Sequence, residues 1–181
     1  MASEFQRAKA RAMFDVLDVD SSGFLEEDDF RQLSERWLRL PRVAAEPELA
    51  ARVQGVILGW WQQLSTVGVR PDRIDIDELM AMVDRLPTMA DAVAATADAV
   101  FDAIDENGDG RISRAEHQQL IDIWHGRAIA TGEVFDRLDQ DGDGYLGRPE
   151  FAVLWTQFWI SDDPVEPGNL MCGPVAGFST R

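Results

Sequence analysis

Oxygen-bearing side chains recur at one fixed spacing in three segments of the chain, residues 18–29, 105–116 and 139–150. Each segment begins with Asp, has Asp or Asn at its third position and Asp or Ser at its fifth, and ends with a carboxylate at its twelfth. The sixth position is always Gly and the eighth is Leu or Ile. So many oxygens suit a hard divalent cation, and Ca²⁺ takes about six to eight of them. The spacing therefore predicts three calcium sites.

This order of residues is that of the EF-hand loop, in which side chains and the carbonyl of the seventh residue surround the ion. Glu116 and Glu150, at the twelfth positions, are long enough to give both carboxylate oxygens to the metal. The predicted metal ligands are the side chains of Asp18, Asp20, Ser22, Glu26, Asp29, Asp105, Asn107, Asp109, Glu116, Asp139, Asp141, Asp143 and Glu150, and the main-chain carbonyls of Phe24, Arg111 and Tyr145.

The first loop departs from this order at its end, where Asp29 stands in place of Glu. Because the Asp stem is one methylene shorter, both oxygens reach the ion only if the following helix moves inward. Otherwise the coordination number falls toward six, which Mg²⁺ prefers. Glu26, at the ninth position, can compensate by binding directly. We therefore expect a mixed Ca²⁺/Mg²⁺ site in this loop.

A further unit is predicted at residues 67–78, where Ile74 fits the eighth position and Glu78 the twelfth. In chain order the first to fourth loops are therefore residues 18–29, 67–78, 105–116 and 139–150. Apolar residues or Pro occupy its first, third and fifth positions, and Asp72 replaces the Gly of the sharp turn. We interpret this unit as a hand that has kept its shape and lost its metal. Since hands pair through their eighth residues, Leu25 should face Ile74 and Ile112 should face Leu146.

Apolar residues at helical spacing precede and follow each loop, as helices that clasp an ion require. The fold class predicted is all-α, a compact arrangement of four EF-hand helix-loop-helix units in two packed pairs. Residues 1–86 should form an N-terminal pair with only the first hand active, and residues 91–160 a C-terminal pair with both active. Pro87 disfavours a continuous helix between the pairs. Residues 161–181 should be a non-helical tail packed on the core through Leu170, Met171, Val175 and Phe178, with a disordered tail as the alternative.

The composition narrows the classes of partner. A formal charge of −16 disfavours nucleic acid, which requires a basic face. The sequence has no run of 18 apolar residues, so we expect no membrane span. The amino-terminal residues also lack the apolar core of a signal peptide. The single cysteine, Cys172, excludes an intrachain disulfide. We expect a cytoplasmic monomer whose partners are calcium ions, with a protein target left open.

Residues that could support catalysis lack the spacing that catalysis needs. His117 and His125 lie eight apart with no partnered Cys or carboxylate pattern, so we interpret them as ordinary helix residues, and Cys172 as structural. No enzyme is predicted. The six Trp residues lie on apolar helix faces and are interpreted as core, with a ligand cavity among them as the alternative.

With its loops placed, the chain resembles the sarcoplasmic calcium-binding proteins and their bacterial relative calerythrin. The length, the silent second hand and the ending from Ser161 to Pro164 carry the resemblance, which covers nearly all 181 residues. It implies metal at hands one, three and four, and a soluble calcium buffer or transporter. The same layout is similar to that of the calcium-triggered photoproteins. Trp155 stands where those proteins need a His, and no terminal Pro is present, so light emission is not expected.

Three roles are left open for this arrangement. A buffer changes shape little when it binds ions, whereas a sensor opens an apolar groove that is often rich in Met. The third role is a calcium-dependent carrier of a small apolar ligand. Trp and Phe outnumber Met at the apolar helix positions. This favours a fixed core and therefore a buffer.

Overall fold

Helices flank all four loops in the computed structural model, which describes residues 3–66 and 68–174. The first two units contain α1 (Glu4–Leu17), β1 (Leu25–Glu26), α2 (Glu27–Trp37), α3 (Pro41–Ala45), α4 (Pro47–Ser65), β2 (Arg73–Ile74) and α5 (Ile76–Val83). The next two contain α6 (Ala90–Ile104), β3 (Arg111–Ser113), α7 (Arg114–His125), α8 (Val134–Leu138), β4 (Tyr145–Gly147) and α9 (Arg148–Ile160). The prediction of an all-α fold with four helix-loop-helix units is confirmed.

The end of each loop is also the start of a helix, so loop and helix stabilise each other. Ser113 is the N-cap of α7, and its hydroxyl accepts the Glu116 N–H at 3.3 Å. Glu116 in turn accepts the Ser113 N–H at 2.8 Å, which completes a capping box. Asp75 and Glu78 form the same box at the start of α5. The twelfth residue of the loop is thus the third residue of the exiting helix in both units.

Two short antiparallel strand pairs join the units. Leu25 pairs with Ile74 and Ile112 with Leu146, as the sequence predicted, and all four side chains are fully buried. Burial on this scale contributes about 1.5–3 kcal/mol for each aliphatic side chain. The pairing places the first loop beside the second and the third beside the fourth.

One apolar core runs through both halves of the described chain. The chain does not continue as a helix from α5 into α6, because a 3₁₀ turn (Leu86–Met89) intervenes, as the position of Pro87 predicted. Trp60 of α4 has its ring centroid 6.0 Å from that of Trp124 in α7 and 5.7 Å from that of Trp159 in α9. None of the helices described is long and apolar enough to cross a membrane.

The segment after α9 contains a second 3₁₀ turn (Pro167–Leu170), and Leu170, Met171 and Cys172 are buried. Val175 and Phe178, which were expected to pack beside them, lie outside the described residues. Both histidines hold this segment. Nε2 of His117 lies 3.0 Å from the Met171 carbonyl, and Nε2 of His125 lies 2.9 Å from that of Cys172.

Lys9 of α1 also holds this segment, and nothing in the sequence marked it for that role. Its Nζ donates to the Ser161 carbonyl and to Oδ1 of Asn169, both at 2.9 Å. The residue is 2% exposed. Burial lowers the pKa of Lys9 from 10.5 to about 8, and the negative charge of Asp162 opposes this shift.

The free energy of unfolding should therefore depend on pH through Lys9. Between about pH 8 and pH 10.5 the unfolded chain keeps a Lys9 proton that the folded chain releases, so Lys9 makes stability rise with pH by up to about 3 kcal/mol. Burial raises the pKa of Cys172, so above pH 9 its thiol makes stability fall with pH and opposes this rise. Urea unfolding across this range, at constant free Ca²⁺, should therefore show wild type gaining stability relative to Lys9→Met as the pH rises. Arg11→Met, an exposed change in the same helix, should follow wild type. Parallel profiles for wild type and Lys9→Met would contradict the assignment.

Candidate metal-binding loops

The carboxylate at the twelfth position ties together the two ends of each loop. In the third loop, Oε1 of Glu116 accepts the N–H of Glu106 at 3.0 Å and Oε2 accepts that of Ser113 at 2.8 Å. In the first loop, Asp29 accepts the corresponding bonds from Val19 at 2.9 Å and Glu26 at 2.8 Å. The shorter Asp29 therefore reaches the same two main-chain donors as Glu116.

Glu150 takes the same position in the fourth loop. It accepts the N–H of Gln140 at 2.9 Å and a further main-chain bond from Gly147. All three loops that carry the full pattern thus close through their twelfth residue in the same way. A carboxylate fixed by two N–H groups is oriented before any ion arrives.

The first Asp of each loop is fixed by the N–H of the sixth-position glycine. Gly23 donates to Oδ2 of Asp18 at 2.9 Å, and Gly110 donates to Oδ2 of Asp105 at 3.1 Å. The fourth loop repeats the bond, from Gly144 to Asp139 at 2.9 Å. These glycines have φ of +79° to +86°, a region that side chains disfavour. The Gly of the motif is thus required by the backbone.

The third and fifth residues curl the middle of each loop through local turns. In the third loop Asn107 accepts the N–H of Asp109 at 2.9 Å, and Asp109 accepts that of Arg111 at 2.9 Å. In the fourth loop Asp141 accepts the N–H of Asp143 at 3.1 Å, and Asp143 accepts that of Tyr145 at 2.9 Å. Asp and Asn side chains form such turns readily. In the first loop Asp20 accepts from Ser22 at 3.0 Å.

Carboxylates converge in two of these loops. One oxygen each from Asp18, Asp20 and Asp29 lies within 4.8 Å of the others. In the fourth loop Asp139, Asp141 and Asp143 form a similar cluster.

Two predicted ligands stand apart from these clusters. Among the described residues, Glu26 is not in the first cluster and Glu150 is not in the fourth. Ser22 donates to the Phe24 carbonyl at 3.1 Å, so two predicted oxygen ligands of the first loop are in contact with each other. The third loop mixes an amide with carboxylates, and the amide of Asn107 donates to the Asp109 carboxylate at 3.1 Å.

Burial and like charge act together on the carboxylates. Burial raises the pKa of Asp29, the N–H bonds from Glu26 and Val19 oppose this, and the charges of Asp20 and Asp18 raise it further. Burial likewise raises the pKa of Glu150, with an added rise from the neighbouring acids of its loop. Oxygen donors with unbalanced negative charge, held by main-chain N–H groups, fit a hard divalent cation.

The loop at 67–78 is built differently. Glu78 accepts the N–H of Asp75 at 2.9 Å, but its second bond comes from Val69 at 2.6 Å, one position later than in the other loops. Val69, at the third position, is 91% exposed. A methyl group added at Gly68 would lie 2.4 Å from Ile74 Cδ1. Val67, the first residue of this loop, lies outside the described residues.

Nothing in the sequence indicated the arginine contacts with the loops. Arg42 of α3 pairs with Asp105, and Arg148 of the fourth loop pairs with Asp98 and Asp102 of α6. Asp102 also pairs with Arg52 of α4. No motif could have identified these pairs, because each depends on how separate units pack together.

Models of protein families match most of the loops. A model described as an EF-hand domain pair matches residues 96–156, and a second model with the same description matches residues 72–118. A model of a single EF hand matches residues 10–34. No curated protein sequence matches the chain.

Solved structures share the fold at low sequence identity. A sarcoplasmic calcium-binding protein from amphioxus is 19% identical with a TM-score of 0.72, and the match covers 96% of this chain and 99% of that one. Calcium-loaded apo-aequorin from Aequorea victoria is 22% identical with a TM-score of 0.73, and the coverage is 88% and 92%. A calcium-binding protein from Streptomyces coelicolor is 22% identical with a TM-score of 0.66, and the coverage is 86% and 98%. The chain has the four-unit EF-hand fold that these proteins share.

Proposed function

We propose that the chain is a cytoplasmic calcium buffer that binds three ions, in loops 18–29, 105–116 and 139–150. One observation carries the proposal. In each of these loops the first carboxylate accepts the N–H of the sixth residue, and the twelfth carboxylate accepts those of the second and ninth residues. The loop at 67–78 has no Asp at its first position, and its twelfth residue accepts from the third residue instead of the second. The ligands proposed are those predicted from the sequence.

The interior supports a buffer over a sensor. Trp37, Trp124 and Trp155 are among the largest fully buried side chains, and rings on α9 pack on one another with centroids 5.3–6.4 Å apart. Large aromatic side chains in mutual contact resist the repacking that an opening groove requires. The buried segment around Met171 also packs on α7, where both histidines contact it. No enzymatic step belongs to this proposal.

A carrier of a small apolar ligand is the second candidate, because the core contains a cavity. Its volume is about 90 Å³, and Met13, Trp60, Met82, Met89 and Trp159 are among the residues that line it. A dry apolar cavity of about 150 Å³ holds a molecule the size of benzene. The cavity in this protein is smaller than that, so even a ligand the size of benzene would need the surrounding helices to move apart. This favours the buffer.

The stoichiometry of calcium binding tests the proposal. Calorimetric titration should give three equivalents for wild type. Glu116→Gln and Glu150→Gln should each weaken one site at least about tenfold, because each removes a charged ligand. Glu78→Gln is the matched control in the silent loop and should keep three equivalents. Fewer than two equivalents in wild type, or a lost site in Glu78→Gln, would contradict the proposal.

The first loop should discriminate poorly between Ca²⁺ and Mg²⁺, because the side chain of Asp29 is one methylene shorter than that of Glu. Asp29→Glu lengthens that stem by one methylene and should strengthen Ca²⁺ binding at this loop by about tenfold, with weaker competition from Mg²⁺. Titration of Ca²⁺ with and without millimolar Mg²⁺ measures both effects. Asp28→Glu, at the exposed neighbouring position, should change neither. Identical titration curves for wild type and Asp29→Glu would refute the mixed character of the site.

Surface exposure separates the buffer from the sensor. When Ca²⁺ is added to the Mg²⁺-loaded protein, binding of an apolar dye should stay nearly constant and amide exchange in α7 and α9 should slow. A large increase in dye binding would favour the sensor. Dye binding that is displaced by apolar ligands in the presence of Ca²⁺ would favour the carrier.

A further inference from the structure

Arg42 extends from the first half of the chain to the third loop. It lies in α3, which connects the first two units, and its Nη1 donates to the main-chain carbonyl of Asp105 at 2.7 Å. The same atom lies 3.3 Å from Oδ2 of the Asp105 carboxylate. A methyl group added at Gly108, the fourth residue of the loop, would lie 4.0 Å from Arg42 Cζ. The guanidinium therefore lies against the loop itself and touches its first predicted ligand.

Arg42 leaves one oxygen of Asp105 available. Oδ2 receives both the guanidinium and the N–H of Gly110, while Oδ1 receives only a 3.2 Å bond from the N–H of Asp109. A cation can thus bind Oδ1 while Arg42 stays in place. The Asp105 side chain is only 3% exposed, so water screens the charge of Arg42 weakly at this point.

The third loop also starts with less negative charge than the fourth. Its third residue is the neutral Asn107, where the fourth loop has Asp141. Arg42 adds a positive charge beside the third site, and Glu46, which accepts from its Nε at 3.0 Å, offsets part of that charge. A cation that enters this loop meets a weaker attraction than it meets in the fourth.

We propose that Arg42 sets the calcium affinity of the third loop by opposing the incoming cation with its own charge. This rests on the proposed binding of calcium at residues 105–116. It makes a residue of the first half part of a site in the second half. Arg42 is a positioning and tuning residue and not a ligand, since its guanidinium has no oxygen to offer the metal.

A purely structural role for Arg42 gives a different expectation. Asp105 is the C-cap of α6, and a cation that bonds to its carbonyl stabilises that helix end. Loss of such a cap would lower the stability of the metal-free protein and leave calcium affinity unchanged or reduced. The charge effect predicts the opposite change in affinity, so the sign of the change separates the two roles.

The amides of Gly23, Gly110 and Gly144 allow each site to be followed separately, because each donates to the first Asp of its own loop. The full chain is titrated with Ca²⁺ and observed by ¹⁵N NMR. In Arg42→Gln, the midpoint of the Gly110 signal should move to a free Ca²⁺ concentration about tenfold lower than in wild type. The midpoints of Gly23 and Gly144 should change less than twofold. Arg42→Lys, which keeps the charge, should leave Gly110 within about twofold of wild type.

Arg52→Gln is the matched control. Arg52 also crosses between the halves, from α4 to Asp102 of α6, but touches no predicted ligand. It should leave the Gly110 midpoint unchanged. Raising the salt concentration from about 0.05 M to about 0.5 M should shrink the difference between wild type and Arg42→Gln, because salt screens charge.

An unchanged or weaker Gly110 affinity in Arg42→Gln overturns the inference. Equal effects of Arg42→Gln and Arg42→Lys also overturn it, because charge would then not be the cause. If Gly110 does not respond to Ca²⁺ in wild type, the proposed function fails as well. The two failures are therefore distinguishable in one set of spectra.

Discussion

Repulsion between like charges is the constraint on which the loops depend. Oxygens of Asp18, Asp20 and Asp29 lie within 4.8 Å of one another, and at that distance carboxylates repel strongly wherever water is partly excluded. Main-chain N–H groups offset part of this repulsion. Burial is the main cause of the raised pKa of Asp29, and the charges of Asp20 and Asp18 raise it further. The helices, caps and strand pairs hold the carboxylates together against this force. A divalent cation is the group that removes the remaining charge.

The second unit contributes to this balance, although its loop has no carboxylate cluster among the residues that the structure describes. It supplies Ile74 as the strand partner of Leu25, and the guanidinium carbons of Arg70 and Arg73 lie 5.2 Å and 4.9 Å from the ring centroid of Phe24 in the first loop. Under the proposed function the second loop binds no metal and supports the first loop through these contacts.

Local chemistry was readable from the sequence, because each loop is made of residues close together in the chain. The positive-φ glycines, the turns at the third and fifth positions and the capping boxes all follow from side chains within a few residues. The pairing of Leu25 with Ile74 could be predicted as well, since it repeats a relation between units. What the sequence could not place were contacts between units, such as those of Lys9 with Asn169 and Arg42 with Asp105.

These missed contacts have a common physical origin. Lys9 and Arg42 are cations in an acidic chain, and each lies where carbonyl or carboxylate oxygens from distant segments meet. Residue type alone does not distinguish them from the solvated arginines, because the burial of Lys9 and the contacts of Arg42 are created by the packing of separate elements. Both cations also join segments that the loops alone would leave unconnected: the segment after α9 to α1, and the third loop to α3. Arg42 therefore balances part of the charge of the third loop, although it belongs to no loop itself.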